Sequence, residues 1–145
     1  YFTPLNSLAE EKLDIIWKNL SDGVERRHKI HVKGRELCIP RYHNGVGRLS
    51  FHDLCSQPLG PADYLAVAEA LRVLIIDRIP KMGHHNFSEA RRFVTLIDVL
   101  YEAKTRLICS AEAEPEMLYL HGEGAFEFKR TASRLREMQS ADWIS

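Results

Sequence analysis

Residues 72–111 read RVLIIDRIPKMGHHNFSEARRFVTLIDVLYEAKTRLICSA, and this stretch decides the fold. Val73-Leu74-Ile75-Ile76 is a short, uninterrupted apolar run that ends in Asp77. Thr105-Arg106-Leu107-Ile108-Cys109-Ser110 is a second strand of the same kind. Between them Ser88 is placed to cap a helix whose apolar residues fall at Ala90, Phe93, Val94, Ile97, Leu100 and Tyr101. That spacing gives one apolar helical face, which packs down on a sheet. Strand, amphipathic helix, strand is a parallel βαβ unit, and continuous apolar runs mark strands covered on both faces. Sheets of this kind place chemistry at their strand ends. Yet no glycine-rich phosphate loop occurs anywhere in the sequence.

Working outward, Ser7-Leu8-Ala9-Glu10 has the form of a capping box and predicts a helix from Ser7 to Leu20, with Leu13, Ile16, Trp17 and Leu20 inward. His28–Val32 and Arg35–Pro40 read as strands joined through Lys33-Gly34. Asn44-Gly45 supplies the positive φ angles of a tight hairpin turn into a strand at Val46–Phe51. Phe51 to Gly60 reads as a loop. Pro61 stands at the first turn of a helix carrying Tyr64, Leu65, Val67, Ala68 and Leu71, where its missing N–H costs nothing. Pro80 to Phe87 is a polar loop. After Ser110, Phe126-Glu127-Phe128 alternates like a short strand, and Thr131 or Ser133 starts a last helix. The order predicts an α/β layered domain with a mixed sheet: an N-terminal helix, an antiparallel hairpin, then β-α-β-α-β with parallel strands and a small C-terminal αβ tail. A strand order that keeps moving one way puts successive crossover helices on one face.

The chain has 145 residues, read here as a single domain over 1–145. Lys plus Arg and Asp plus Glu both total 20, which argues against a dedicated nucleic-acid or membrane-surface protein while leaving local basic patches open. Cys38, Cys55 and Cys109 are far apart and odd in number, so buried thiols are expected rather than a disulfide framework. No apolar run approaches the roughly 20 residues that span a bilayer. The chain begins at Tyr1, without a signal or transit peptide to read, and is taken as a piece of a longer protein.

Asp77 ends its strand as the metal-holding carboxylate of Walker-type ATPases does, but Arg78 follows where a water-positioning Glu is usual. The alternative is an aspartate paired with Arg78 or capping a turn. Ser110 stands where such enzymes place a polar γ-phosphate sensor; the alternative is a polar residue leaving the sheet. Arg91 and Arg92, read in the first turn of their helix, oppose its dipole and can hold an anion or a partner carboxylate. Their alternative partners are Glu89, Asp77 or Asp98. Lys129, Arg130, Arg134 and Arg136 form a basic cluster in which Arg130 and Arg134 share a face at i, i+4 if the helix has begun. Arginine forks suit phosphate or carboxylate; the alternative is a solvated face neutralised by Glu137 and Asp142. The seven histidines show no zinc spacing with the cysteines. No nucleophile elbow or Cys-His signature supports a stand-alone hydrolase.

Ser50-Phe51-His52-Asp53-Leu54-Cys55, Pro58-Leu59-Gly60 and Ala62-Asp63-Tyr64-Leu65 resemble the ZapE family. So do Ile79-Pro80, Ala90-Arg91-Arg92-Phe93 with Leu96-Ile97-Asp98 and Tyr101, and Cys109-Ser110-Ala111. The strongest match is Phe126-Glu127-Phe128, Arg130-Thr131, Ser133-Arg134-Leu135 and Glu137-Met138-Gln139-Ser140. The family comprises bacterial cell-division ATPases and the mitochondrial lactation-elevated, ATPase-family-gene-one-like proteins. The resemblance implies a C-terminal domain whose P-loop core lies upstream, with ATP and Mg belonging to the full-length parent and none to this chain alone. It implies the upstream core, a client or division protein, and a homo-oligomer as partners. It implies the bacterial cytoplasm as location, with the mitochondrial matrix as the alternative. Arg91, Arg92, Arg130 and Arg134 are family-typical and are the candidates for contacts to core, nucleotide or neighbouring subunit.

Overall fold

The computed structural model describes residues 1–140 and Trp143. The strands are β1 (Arg26–Val32), β2 (Arg35–His43), β3 (Val46–Ser50), β4 (Val73–Ile79) and β5 (Arg106–Ala111), forming one sheet in the order β1-β2-β3-β4-β5. β1–β2 and β2–β3 are antiparallel; β3–β4 and β4–β5 are parallel. The helices are α1 (Ser7–Ser21), α2 (Phe51–Cys55), α3 (Pro61–Ala70), α4 (Phe87–Ala103) and α5 (Phe128–Met138). The mixed α/β architecture expected from the sequence is the one observed.

The alternation of β4 sorts its residues between two layers. Leu74 and Ile76 pack with the residues of α2 to α5, including Leu54, Val67, Phe93, Ile97 and Leu135. Val73 and Ile75 face the other way, onto Leu13 and Trp17 of α1. Crossover helices α3 and α4 thus share one face, as a one-way strand order requires. β3 enters from a tight turn at Asn44 (φ 49°) and Gly45 (φ 80°). Gly47 of β3 admits Leu71 so closely that a Cβ there would lie 2.8 Å from its Cδ1.

Several boundaries differ from expectation. The cap of α1 is Asn6, whose Oδ1 accepts from the Ala9 N–H at 2.9 Å, rather than Ser7. The predicted loop after Phe51 opens with α2, closed by a capping box in which Ser50 Oγ accepts from Asp53 N–H and Asp53 accepts from Ser50 N–H, both at 3.0 Å. α4 begins at Phe87, following a 3₁₀ turn at His84–Asn86, so Ser88 lies inside it. The predicted strand at Phe126–Phe128 is a turn leading into α5, which starts at Phe128 instead of Thr131 or Ser133. Phe128 is buried beside Phe93, while Phe126 is 76 % exposed. Cys55 and Cys109 are buried free thiols, but Cys38 is exposed on the hairpin.

Candidate functional site

The C-terminal ends of the parallel strands bring together Asp77 of β4 and Ser110 of β5. Asp77 is buried and receives a two-pronged grip from Arg48 of β3: Nε to Oδ1 at 2.8 Å and Nη2 to Oδ2 at 2.7 Å. Arg48 Nη1 also lies 2.8 Å from Asp14 Oδ1 of α1. Burial pulls the Arg48 pKa down, but its two carboxylate partners outweigh that and leave it above its ordinary value. The Asp77 partner is therefore Arg48, not Arg78 as the sequence reading offered. Arg78 adopts φ 59° at an irregularity in the β4–β5 ladder, and its N–H donates to Ser110 Oγ at 2.9 Å. Both polar strand ends are engaged in joining elements. A cavity of about 210 Å³ opens beside them, bounded by Leu5, Asn6, Glu10, Asp77, Arg78 and Ser110.

Because α5 starts at Phe128, Arg130 and Arg134 do stand one turn apart, and both point to Asp98 of α4. Arg134 forms a charge-assisted hydrogen bond to Asp98 and lies 4.4 Å over the Tyr101 ring, with Glu102 Oε1 3.8 Å away. Its side chain is 16 % exposed, against 68 % for Arg130, which reaches Asp98 at only 3.9 Å. Arg136 is committed to Glu116 at 2.6 Å and Glu114 at 3.0 Å, and this pairing holds the Glu116 carboxyl below its ordinary value. Lys129 sits over Phe126. Of the neutralising acids expected from sequence, Glu137 accepts instead from the Tyr101 hydroxyl at 2.8 Å. Asp142 lies outside the described residues.

Arg91 and Arg92 fall in the second turn of α4, because that helix starts at Phe87. Arg92 Nη1 donates to the Cys55 carbonyl at 3.0 Å, tying α4 to α2. Arg91 is exposed and lies over the Phe87 ring. Among the described residues none of the carboxylates expected for them is their partner: Glu89 accepts from Asn86, Asp77 from Arg48, and Asp98 from the α5 arginines. The two arginine pairs thus form two sites along α4. Arg91 and Arg92 line a cavity of about 270 Å³ against the start of α3, with Gly60, Pro61 and Ser88. Arg91 also borders a second cavity of about 410 Å³ with Phe87, Tyr119, Glu123 and Glu127.

Beside that second cavity the 80–87 loop meets the segment before Gly122. Met82 N–H donates to the Leu118 carbonyl at 2.7 Å, Met82 and Tyr119 form an isolated parallel bridge, and the Tyr119 hydroxyl donates to the Glu123 carbonyl. Sequence reading missed the Arg48 grip and an apolar groove of about 480 Å³ between Tyr119, Leu120, Ala125, Phe128 and Ala132. An arginine inside the apolar run Val46–Ser50 was the available signal for the first. The groove had none, since it needs α5 to begin three residues early.

A triphosphate needs successive backbone N–H groups and uncommitted cations in one cradle. Here Arg48, Arg92, Arg134 and Arg136 are already engaged, and the left-handed glycines lie at separate turns. Among the described residues no group of three or more His, Cys, Asp or Glu is placed to hold a metal ion. These residues do not fit a triphosphate grip.

A five-strand mixed sheet whose three parallel strands carry their crossover helices on one face defines the chain as a layered α/β domain. The family model for AFG1-like ATPase matches residues 1–145, and the chain belongs to that family. It is 30% identical to Lactation elevated protein 1 homolog B of Danio rerio over 181 residues, covering all of this chain and 36% of the relative. It is 31% identical to Cell division protein ZapE of Escherichia coli K12 over 145 residues, covering 99% of this chain and 39% of that protein. The chain therefore spans well under half the length of these relatives. No solved structure matches it.

Proposed function

We propose that this chain is the C-terminal domain of an AFG1-like ATPase, and that it couples ATP hydrolysis by an upstream core to partner binding or assembly in cell division or protein quality control. The whole-chain family match, the small share of each relative that is covered and the lack of a P-loop sequence support this reading. ATP and Mg belong to the core in this proposal, and the chain alone is inert toward nucleotide. The observation that carries it is the α4–α5 seam. Arg134 is fixed by Asp98 and Tyr101, while Arg130, one turn earlier, is exposed and only loosely held. An exposed guanidinium on a rigid base is suited to a carboxylate or phosphate on the core or on a neighbouring subunit of a homo-oligomer. Arg91 offers a second such group; Arg92 serves the α2–α4 contact. Among the described residues no helix is long and apolar enough to cross a membrane. The bacterial cytoplasm, or the mitochondrial matrix in the lactation-elevated branch, is the proposed location.

The test is ATP turnover and oligomerisation of the intact parent carrying Arg130→Ala or Arg134→Ala, beside ATP binding by this chain alone. Lost turnover with a retained fold supports coupling. Tight ATP binding by the chain alone contradicts it. A second reading, a non-catalytic module that recruits a client through the Pro80–Phe87 and Gly122–Gly124 loops, is favoured by the cavity that Phe87 shares with Glu123 and Gly124. Unchanged turnover with lost client binding selects it.

A further inference from the structure

The two edges of the sheet are treated differently. At the β5 edge the N-terminal segment lies alongside: Phe2 N–H donates to the Cys109 carbonyl at 2.9 Å and the Ala111 N–H donates to the Phe2 carbonyl at 2.8 Å. At the β1 edge, Arg26–Val32 has no backbone hydrogen bond beyond those to β2 among the described residues. This free edge is strongly basic. Between Arg26 and His43 stand Arg26, Arg27, Lys29, Lys33, Arg35 and Arg41, with Glu36 the sole acid, in a chain of zero formal net charge.

The register sorts these charges. The irregularity in the β1–β2 ladder lies on β2, where two residues oppose Arg27, so the alternation along β1 is unbroken. His28, Ile30 and Val32 face the α3 side, where Arg35 opposite Val32 binds Asp63. Arg27, Lys29 and His31 face the opposite side, where α1 packs on β3, β4 and β5 and reaches the hairpin at its base, Trp17 Nε1 donating at 3.3 Å to Glu25, which lies 3.8 Å from Arg41. All three are exposed. Among the described residues, Lys29 alone of the three has an ion pair, a solvated one to Glu36 at 3.7 Å.

We infer that β1 is a docking edge for an extended acidic segment of another polypeptide, one with Asp or Glu at alternate positions. Pairing such a strand with β1 sets its carboxylates opposite Arg27, Lys29 and His31, because both strands share the two-residue period. The intervening side chains then lie beside half-buried Ile30. The edge offers alternating N–H donors and C=O acceptors, and a peptide supplies both complements. The phosphodiester backbone of a nucleic acid supplies acceptors alone and cannot answer the C=O groups of the edge. A second copy of this chain, paired antiparallel about Lys29, would set lysine against lysine and Arg27 against His31. Charged edges also guard sheets against stray pairing; a row of cations excludes apolar and basic strands and admits an acid-lined one. This surface is separate from the α4–α5 arginines and does not depend on the coupling proposal.

The probe is a fluorescein-labelled peptide of alternating glutamate and valine, long enough to span the seven residues of β1. The control has the same composition with its glutamates in one block. We expect the alternating peptide to bind about tenfold tighter by anisotropy, the scale of three cross-strand charge pairs. Amide hydrogen exchange should slow along Arg26–Val32. Lys29→Glu should erase the difference, with Lys29→Gln as the milder variant if the first fails to fold. Equal affinity for the two peptides, absence of binding, tighter binding of a single-stranded oligonucleotide, or protection that spares β1 would each overturn the inference.

Discussion

β4 and β1 are both seven residues long and belong to one sheet, but they are held by different physics. β4 lies between two layers, with Leu74, Ile75 and Ile76 fully buried. Each such side chain contributes roughly 1.5–3 kcal/mol by leaving water. β1 has only Val32 buried and presents cations to solvent on both sides of the strand. The difference follows from the connections. The crossovers from β3 to β5 carry helices back over one face and α1 covers the other, whereas a two-residue hairpin turn carries nothing. Rigidity is concentrated in the parallel half, and surface chemistry in the antiparallel half.

The strongest way to break that contrast is to attack the ion pair that crosses the parallel half. Asp77→Ala takes away the buried partner of the Arg48 guanidinium, which is 5 % exposed, and leaves it only the solvated Asp14. It should cost about 3–5 kcal/mol, read as a lowered denaturation midpoint. The double variant Arg48→Met with Asp77→Leu should recover most of that loss, since an apolar pair of similar volume carries no desolvation penalty. A cost for Asp77→Ala below about 1 kcal/mol, the range of solvated pairs, would mean that the pair does not clamp the strands.

The thiols sharpen the contrast by pH. Burial pushes both Cys55 and Cys109 up to about 12. A native pKa above the unfolded one means that the folded chain binds more protons, so the stabilisation is full below about 9 and is lost as pH rises toward 12. The expected slope is about 1.4 kcal/mol per pH unit per thiol within that window. Cys38, exposed on β2, should react with a thiol reagent at once, and the other two only as fast as the chain opens. Rapid labelling of all three would show that the parallel half is not closed.

Close packing makes a smaller test. Gly47→Ala drives a Cβ to 2.8 Å from Leu71 Cδ1 and 3.2 Å from Ile39 Cγ2. Both neighbours are buried, so the expected cost is about 1–3 kcal/mol. Gly34→Ala at the hairpin tip meets nothing within 4 Å and carries only the left-handed penalty of its φ of 80°, about 1 kcal/mol. Equal costs by thermal unfolding would remove the steric argument at Gly47.

The parallel half was legible in the sequence because its signals are local. The run Val73–Ile76, the helical spacing from Ala90 to Leu100 and the Asn44-Gly45 turn each fix an element within a few residues. What failed needed a partner far along the chain. Arg48 meets Asp77 only once β3 and β4 pair in parallel with Ser50 opposite Asp77, and no spacing rule announces that. Phe126-Glu127-Phe128 has too few residues to separate a strand from a turn followed by a helix; burial of Phe128 against Phe93 decides it. The arginines were found as residues but their partners were not. Arg92 seeks a backbone carbonyl of α2, and Asp98 serves α5 rather than its own helix.

The smallest expected effect lies on the hairpin. Lys29→Ala removes a side chain that is 65 % exposed and whose ion pair to Glu36 spans 3.7 Å between two solvated groups. Such a pair contributes about 0–1 kcal/mol, and its loss is partly offset because the entropy cost of ordering the lysine side chain disappears with it. Stability should change by about 0.5 kcal/mol or less, with the denaturant slope unaltered. A larger loss would mean that β1 is held by its charges and belongs to the structural half of the sheet. A silent stability change joined to weaker binding of the acidic strand would place Lys29 wholly on the side of recognition. That is the pattern expected of an edge whose solvated cations contribute little to the stability of the fold.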